Sequence, residues 1–253
     1  MTSIDLNCDM GESPEAIADG TQEALMASIT SVNIACGGHA GDEGTMKTTI
    51  QQALHWKLAI GAHPGYPDRS NFGRVELDHS PEAVADFVYD QVRTLGQIAA
   101  PYQRHLSHVK PHGALYNQAV YNRRLAGAIV AGVARWSRNV ALVGLAGSPM
   151  LDVFREAGFA TAAEAFADRR YEPNGTLRSR KHEDALIRDP EEAGQQTLNI
   201  VKHGFVTAFD GSEVLVKAQT ICIHGDTPGA AKIAATVAQT LREAGIALRS
   251  LSL

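Results

Sequence analysis

Val32-Asn-Ile-Ala35 runs into Cys36-Gly-Gly-His39-Ala-Gly-Asp42, and residues 43–57 then repeat apolar positions Met46, Ile50, Ala53 and Leu54 at helical spacing. A short apolar stretch, a polar turn and an amphipathic helix form one unit of a parallel α/β fold. The unit recurs along the chain. Residues 4–6 lead into Asn7 and Asp9, 59–62 into His63-Pro-Gly, and 106–109 into Lys110-Pro-His112. Residues 140–145 lead into Gly147 and Ser148, 161–163 into Glu164, Asp168 and Arg169, and 221–223 into His224-Gly-Asp226. Helical periodicity fills the intervals at 80–98, 119–136, 149–157 and 190–203, with a last helix opened by Thr227-Pro228. Seven such units predict a seven-stranded (β/α) barrel, whose strand tips meet at one mouth.

Side chains two apart on a strand share a face. Asp5, Asn7 and Asp9 therefore point one way and Cys8 the other; Gly61 pairs with His63, Lys110 with His112, and Cys222 with His224 and Asp226. A dozen ionisable groups converge: Asp5, Asp9, His39, Asp42, His63, Lys110, His112, Glu164, Asp168, Arg169, His224 and Asp226. One uncompensated buried charge costs about 3–5 kcal/mol, against a whole-domain stability of about 5–15 kcal/mol. Such a cluster fits a wet cleft for a polar ligand better than a core. Asp42 and Asp226 each have a second reading, as N-caps of the helices that follow them. His55, His79, His105, His182 and His203 fall on helices or loops and read as surface.

The 253 residues suit one domain of the larger α/β kind, and 44% hydrophobic with 20% charged residues is ordinary for a globular protein. A net charge of −5 points to neither nucleic acid nor an acidic membrane surface. No basic-then-apolar leader and no run of about 20 apolar residues is present. With three cysteines in no CxxC spacing, this predicts buried thiols in a cytoplasmic protein. Two segments break the rhythm. Residues 166–188 are polar and basic, with Arg169, Arg170, Arg178, Arg180 and Lys181, and read as a flap over the site. Residues 205–217 flank Asp210-Gly211 with strand formers and read as a hairpin.

Glycine turns before two helices, together with Lys110 and the basic flap, permit a phosphorylated ligand. No GxxxxGK[ST] loop, GxSxG elbow, HExxH or clustered HxH occurs, so neither a serine nucleophile nor a tightly bound metal is expected.

The motifs Asp5-Leu-Asn-Cys-Asp-Met-Gly-Glu12, Asn33-Ile-Ala-Cys-Gly-Gly-His-Ala-Gly-Asp42, Gly61-Ala-His-Pro-Gly-Tyr-Pro-Asp68, Phe72-Gly-Arg74, Val109-Lys-Pro-His-Gly-Ala-Leu-Tyr-Asn117, Glu164-Ala-Phe-Ala-Asp-Arg-Arg-Tyr171 and Ile223-His-Gly-Asp-Thr-Pro-Gly229 together resemble the LamB/YcsF family of 5-oxoprolinase A subunits. The resemblance runs through the whole chain in order. It implies a barrel related to glycoside hydrolases and polysaccharide deacetylases. It implies cytoplasmic, ATP-coupled opening of 5-oxo-L-proline to L-glutamate, with Mg2+ as counterion of ATP, and two partner subunits of allophanate hydrolase type. The family usually carries an aromatic residue where Gly38 stands. On this reading Lys110, Arg169 and Arg180 neutralise phosphate charge. Asp9, His39, His63 or His112 supplies the base, and Asn7, Glu164, Asp168, His224 and Asp226 orient ligand. A stand-alone metal-dependent hydrolase or deacetylase, and a non-catalytic 5-oxoproline-binding subunit, are the other readings.

Overall fold

The computed structural model describes residues 2–227 and 229–251. Its strands are β1 (Ser3–Met10), β2 (Ser31–Ala35), β3 (Ala59–His63), β4 (His108–Val109), β5 (Ala141–Leu145), β6 (Ala160–Phe166), β7 (Phe205–Thr207), β8 (Glu213–Leu215), β9 (Thr220–Cys222) and β10 (Ala247–Leu248). Neighbours β1-β2-β3-β4-β5-β6-β9 pair in parallel, and β9 pairs back onto β1 with Asp5 opposite Thr220. The result is the closed seven-stranded barrel that the repeated units predict. β10 adds to the start of β1, with Ser3 opposite Ala247. β4 is only two residues long because the ladder meets Pro111, which has no amide hydrogen to donate.

The helices are α1 (Pro14–Ala18), α2 (Thr21–Met26), α3 (Glu43–His55), α4 (Pro81–Ala99), α5 (Gly113–Ala119), α6 (Arg123–Trp136), α7 (Pro149–Glu156), α8 (Pro190–His203) and α9 (Ala230–Glu243). The helix expected over 119–136 is α6, which starts four residues later than expected, and α5 precedes it as a separate short helix. Asn122 sits extended between α5 and α6, and its side chain accepts from the Leu125 amide at 3.1 Å, which starts α6 afresh. α1 and α2 lie in the β1–β2 interval, where the sequence shows no long period. The Thr227-Pro228 helix start includes Pro228, which lies outside the described residues; α9 begins at Ala230.

α6 turns Leu125, Ile129 and Val133 inward, and each such side chain contributes about 1.5–3 kcal/mol when fully buried. The interior of the barrel is different. Its strands are buried on both faces, and the inward positions carry Asp5, Asn7, Asn33, His108, Glu164 and Thr220, all buried. Polar groups in such a place need partners, and the fold supplies them. At the floor, the Asp5 carboxylate accepts from Thr30 Oγ1 at 2.7 Å, Ser31 Oγ at 2.9 Å and Thr220 Oγ1 at 2.5 Å. Burial nonetheless pushes its pKa up, against the pull of those hydroxyls. Asp5 is thus a floor residue, remote from any ligand.

Between β6 and α8, residues 167–189 fold back on themselves through the bridges Arg169–Leu186 and Tyr171–Leu177. Gln196 on α8 donates to the carbonyls of Phe166, Ala167 and Arg169 and ties that segment down. β7 and β8 pair antiparallel, Phe205 opposite Leu215. Among the described residues, no helix is long and apolar enough to cross a membrane.

Candidate active site

A cavity of about 550 Å³ opens at the C-terminal end of the barrel. Of the residues singled out in the sequence, Asp9, His63, Lys110, His112, Arg169, Arg180, His224 and Asp226 line it. Asn7, His39, Glu164 and Asp168 do not; they sit behind the lining residues and hold them. Asp42 belongs to neither group. It is the N-cap of α3, its carboxylate accepting from the Thr45 amide at 2.8 Å.

Lys110 is the hub. Its side chain is 4% exposed, and Nζ lies 3.0 Å from Asp9 Oδ1 and 2.9 Å from Glu164 Oε1. Nζ also lies 3.1 Å from Cys222 Sγ. Burial alone would favour loss of the lysine's proton. The Asp9 and Glu164 carboxylates outweigh it and hold the pKa well above the usual lysine value. Asn7 supports this pair from below: Nδ2 donates to Glu164 Oε1 at 3.1 Å and to Thr220 Oγ1 at 2.7 Å. Asn33 Nδ2 donates to Asn7 Oδ1 at 2.7 Å and Asp9 Oδ1 at 2.8 Å, and His108 Nε2–H donates to Asn33 Oδ1 at 2.7 Å. Burial lowers the His108 pKa to about 3, with Lys110 adding to the effect, so the ring is neutral.

Three imidazoles surround two carboxylates on the other side of the mouth. Asp9 Oδ2 lies 3.3 Å from His63 Nε2. Glu12 Oε1 lies 2.9 Å from His39 Nε2 and 3.2 Å from His112 Nδ1. Burial opposes ionisation of Asp9, but His63 and Lys110 prevail and hold it well below the usual carboxylate range. Glu12 is likewise pulled down, by His112 and His39 against burial. Burial lowers His39 to about 4. The His39 ring stacks on His112 at 3.5 Å. Gly65 and Gly73 press on His39 from outside: a Cβ on either would come within 2.8 Å of its ring or Cβ. At Gly38 the space for a side chain is taken by the Gln91 amide, which bonds Gly65 N and O at 3.0 and 2.8 Å. An aromatic residue at 38 would need Gln91 to move.

On the third side Asp168, fully buried, accepts from His224 Nδ1 at 2.9 Å, the His224 amide at 3.1 Å and Thr227 Oγ1 at 2.9 Å. It orients His224 and touches no ligand space. The rim is cationic. Arg74, Arg169, Arg180 and Lys181 line it, and the Arg169 Nε–H, buried, has no partner among the described residues. Burial lowers Arg169 to about 10, with Arg180 adding repulsion.

Asp226 is no helix cap. Its Oδ2 accepts from Arg74 at 2.6 Å and Arg180 at 3.0 Å, joining three separate loops across the mouth. Burial works against the Asp226 charge, yet Arg180, His224 and Arg74 leave its pKa lowered. The contact is therefore complete above about pH 4, the unfolded value, and is lost as pH falls through the lower folded value. Asp226 is 38% exposed and its two arginines 31% and 42%, so solvent screening limits the contact to under about 1 kcal/mol. Asp226→Asn should speed amide hydrogen exchange in segment 176–182 by up to about fivefold at pH 7. Wild-type exchange, corrected for its intrinsic pH dependence, should approach the variant's below pH 4. Equal exchange in both proteins at pH 7 would remove the latch.

Several site residues carry no clear mark in the sequence. Glu12 follows Gly11, whose φ of +74° ends the strand alternation and turns the carboxylate back over the mouth. Asn33 and His108 hide inside stretches that read as apolar, although His108 is in phase with Lys110. Tyr116, on α5, brings to the cavity wall a buried hydroxyl without a hydrogen-bond partner among the described residues. Arg74 meets Asp226 only through the fold. Cys222 faces Lys110, while Cys8 points away from the mouth; all three cysteines are buried and free.

Fold and site together define a class: a parallel (β/α) barrel whose mouth holds a lysine–carboxylate–histidine cluster beneath a cationic rim. The chain belongs to the LamB/YcsF family, whose model matches residues 4–253. It is 49% identical over 250 residues to the A subunit of 5-oxoprolinase from Chloroflexus aurantiacus, covering 99% of each chain. It is 44% identical over 252 residues to the protein of the same name from Bacillus licheniformis, covering 100% of both. A crystal structure of a lactam utilization protein from Thermus thermophilus superposes with a TM-score of 0.91 at 39% identity, covering 99% of this chain and 100% of that one.

Proposed function

We propose that this chain is the A subunit of a 5-oxoprolinase. With two further subunits it opens 5-oxo-L-proline to L-glutamate, coupled to ATP hydrolysis. The names of its relatives support the substrate class. The observation that carries the chemistry is the pairing of a buried, charged Lys110 with Asp9 at the floor of a cavity rimmed by Arg74, Arg169 and Arg180.

A lactam is a stabilised amide. Transfer of the γ-phosphoryl group of ATP to the lactam oxygen releases ADP and makes the ring carbon electrophilic. Water adds there and gives its proton to a base. The ring C–N bond breaks as nitrogen takes a proton, and a second water frees the phosphate. Lys110, Arg169 and Arg180 supply positive charge where the oxyanion and phosphoryl oxygens develop. Asp9, kept ionised beside His63, is the base. Asn7, Asn33 and Glu164 position Asp9 and Lys110, Asp168 positions His224, and His39 positions Glu12.

The test is reconstitution with the two partner subunits and measurement of glutamate formed from 5-oxoproline and ATP. Activity should need all three chains, and removing the base in Asp9→Asn should lower it by about 10²–10⁴-fold. Ring opening at full rate in the Asp9→Asn complex, or amide hydrolysis by the isolated chain without ATP, would reject this reading.

A further inference from the structure

The imidazoles of His63 and His112 face each other at the mouth of the barrel. His63 Nδ1 lies 2.7 Å from the Lys110 carbonyl, and His112 Nε2 lies 2.9 Å from the Phe72 carbonyl. A carbonyl oxygen only accepts, so both of these nitrogens carry the hydrogen. The other two, His63 Nε2 and His112 Nδ1, are then lone pairs when the rings are neutral, and they stand 2.9 Å apart. Glu12 Oε1 completes the group, 3.2 Å from His112 Nδ1 and 3.9 Å from His63 Nε2. Three lone-pair donors aimed at one point repel unless a proton or a metal cation lies among them.

We propose that Glu12, His63 and His112 bind one divalent transition-metal ion of the zinc type, with its remaining position open to the cavity beside Asp9. Bonds of about 2.0–2.1 Å in a tetrahedral site set donors about 3.3–3.4 Å apart, and the three separations here, 2.9, 3.2 and 3.9 Å, bracket that spacing. The carbonyls of Lys110 and Phe72 fix the tautomers, as outer partners of metal-bound histidines do. Charge points the same way. Asp9 and Glu164 share the one Lys110 ammonium and Glu12 meets only imidazoles, an excess of two negative charges that a divalent cation cancels when those rings are neutral.

His39 is not a ligand. Its ring is parallel to His112 within 3° and stacked at 3.5 Å, so no ion can lie in both ring planes. It orients Glu12 instead. A second group of donors, Asp9, Cys222 and His224, is already served by a cation, since Lys110 Nζ lies 3.0 Å from Asp9 Oδ1 and 3.1 Å from Cys222 Sγ. A water on the open position would meet both the ion, which lowers its pKa, and Asp9, which takes its proton.

This inference does not rest on the ring-opening reading, and it is tested on the isolated full-length chain. After dialysis against chelator, the protein is titrated with Co2+ by visible absorption and with Zn2+ by calorimetry. One equivalent of each should bind, Co2+ with the intense bands of a four- or five-coordinate site, and Zn2+ should raise the thermal midpoint. Glu12→Gln and His63→Ala should abolish this, and circular dichroism reports whether each variant folds; Glu12→Gln keeps the shape of the side chain if His63→Ala does not. His39→Gln should still bind, about 10–100-fold more weakly. Less than one equivalent in wild type, unchanged affinity in folded Glu12→Gln, or Mg2+ binding as tightly as Zn2+ would each overturn the site. Failure here leaves the reconstituted ATP assay untouched, and the reverse also holds.

Discussion

Lys110→Met should leave a protein that folds but has lost about 3–5 kcal/mol of stability and all measurable ring opening. The methionine fills similar space, so the loss is electrostatic. Asp9 and Glu164 lie 3.0 and 2.9 Å from Nζ, and the variant strands both carboxylates in a buried place. Set against about 5–15 kcal/mol for a whole domain, the deficit is large but survivable. Its pH dependence separates charge from packing. Stranded carboxylates are relieved by taking up protons, so the deficit relative to wild type should be greatest near pH 8 and shrink toward pH 5. Urea unfolding at the two pH values measures it. Equal deficits would mean that Lys110 matters there by shape alone. In a double-mutant cycle, Lys110→Met with Glu164→Gln should be less unstable than the sum of the single changes, by about 0.5–3 kcal/mol.

That outcome also bears on how a site can be read from a chain. Alternation along single strands carries the barrel and half of the mouth. Asp5, Asn7 and Asp9 share a face of β1, Lys110 and His112 follow β4, and His224 follows β9. What alternation cannot rank is depth. Asn7, Glu164 and Asp168 have the right phase to meet a ligand, but they stand one layer below it, where they hold Lys110 and His224. His39 has its phase set by a glycine turn and ends behind Glu12. Residues brought in by turns, or masked by apolar neighbours, stay invisible. Glu12 enters through the left-handed Gly11, and His108 is embedded in a stretch read as hydrophobic. The Arg74–Asp226 contact joins residues 152 apart, and no local pattern announces it. The helix start at Asn122 follows the apolar run Ala119-Val120-Tyr121, which continues the helical pattern and hides it, although asparagine is a common N-cap.

Gly61→Ala should cost roughly 1–5.5 kcal/mol, a large effect for one methyl group. Gly61 stands on β3 between Asn33 of β2 and His108 of β4. A Cβ there would overlap the His108 ring, which is 1% exposed and has no room to retreat. Overpacking of this kind costs about 1–3 kcal/mol. A displaced His108 also leaves Asn33 Oδ1 without its donor, another 1–3 kcal/mol or so for an unmet buried acceptor. The reduced freedom of alanine in the unfolded chain acts in the opposite sense, by only about 0.4–1 kcal/mol, so the clash decides the sign. The damage should reach the mouth, because the same Asn33 donates to Asp9 Oδ1 at 2.8 Å. Denaturant unfolding gives the stability loss, and the reconstituted assay should show ring opening falling with it. His108→Asn in the Gly61→Ala background shortens the clashing side chain and should recover part of the stability. A Gly61→Ala protein within about 0.5 kcal/mol of wild type, the range of an inconsequential surface change, would mean that His108 does not fill the barrel at this level.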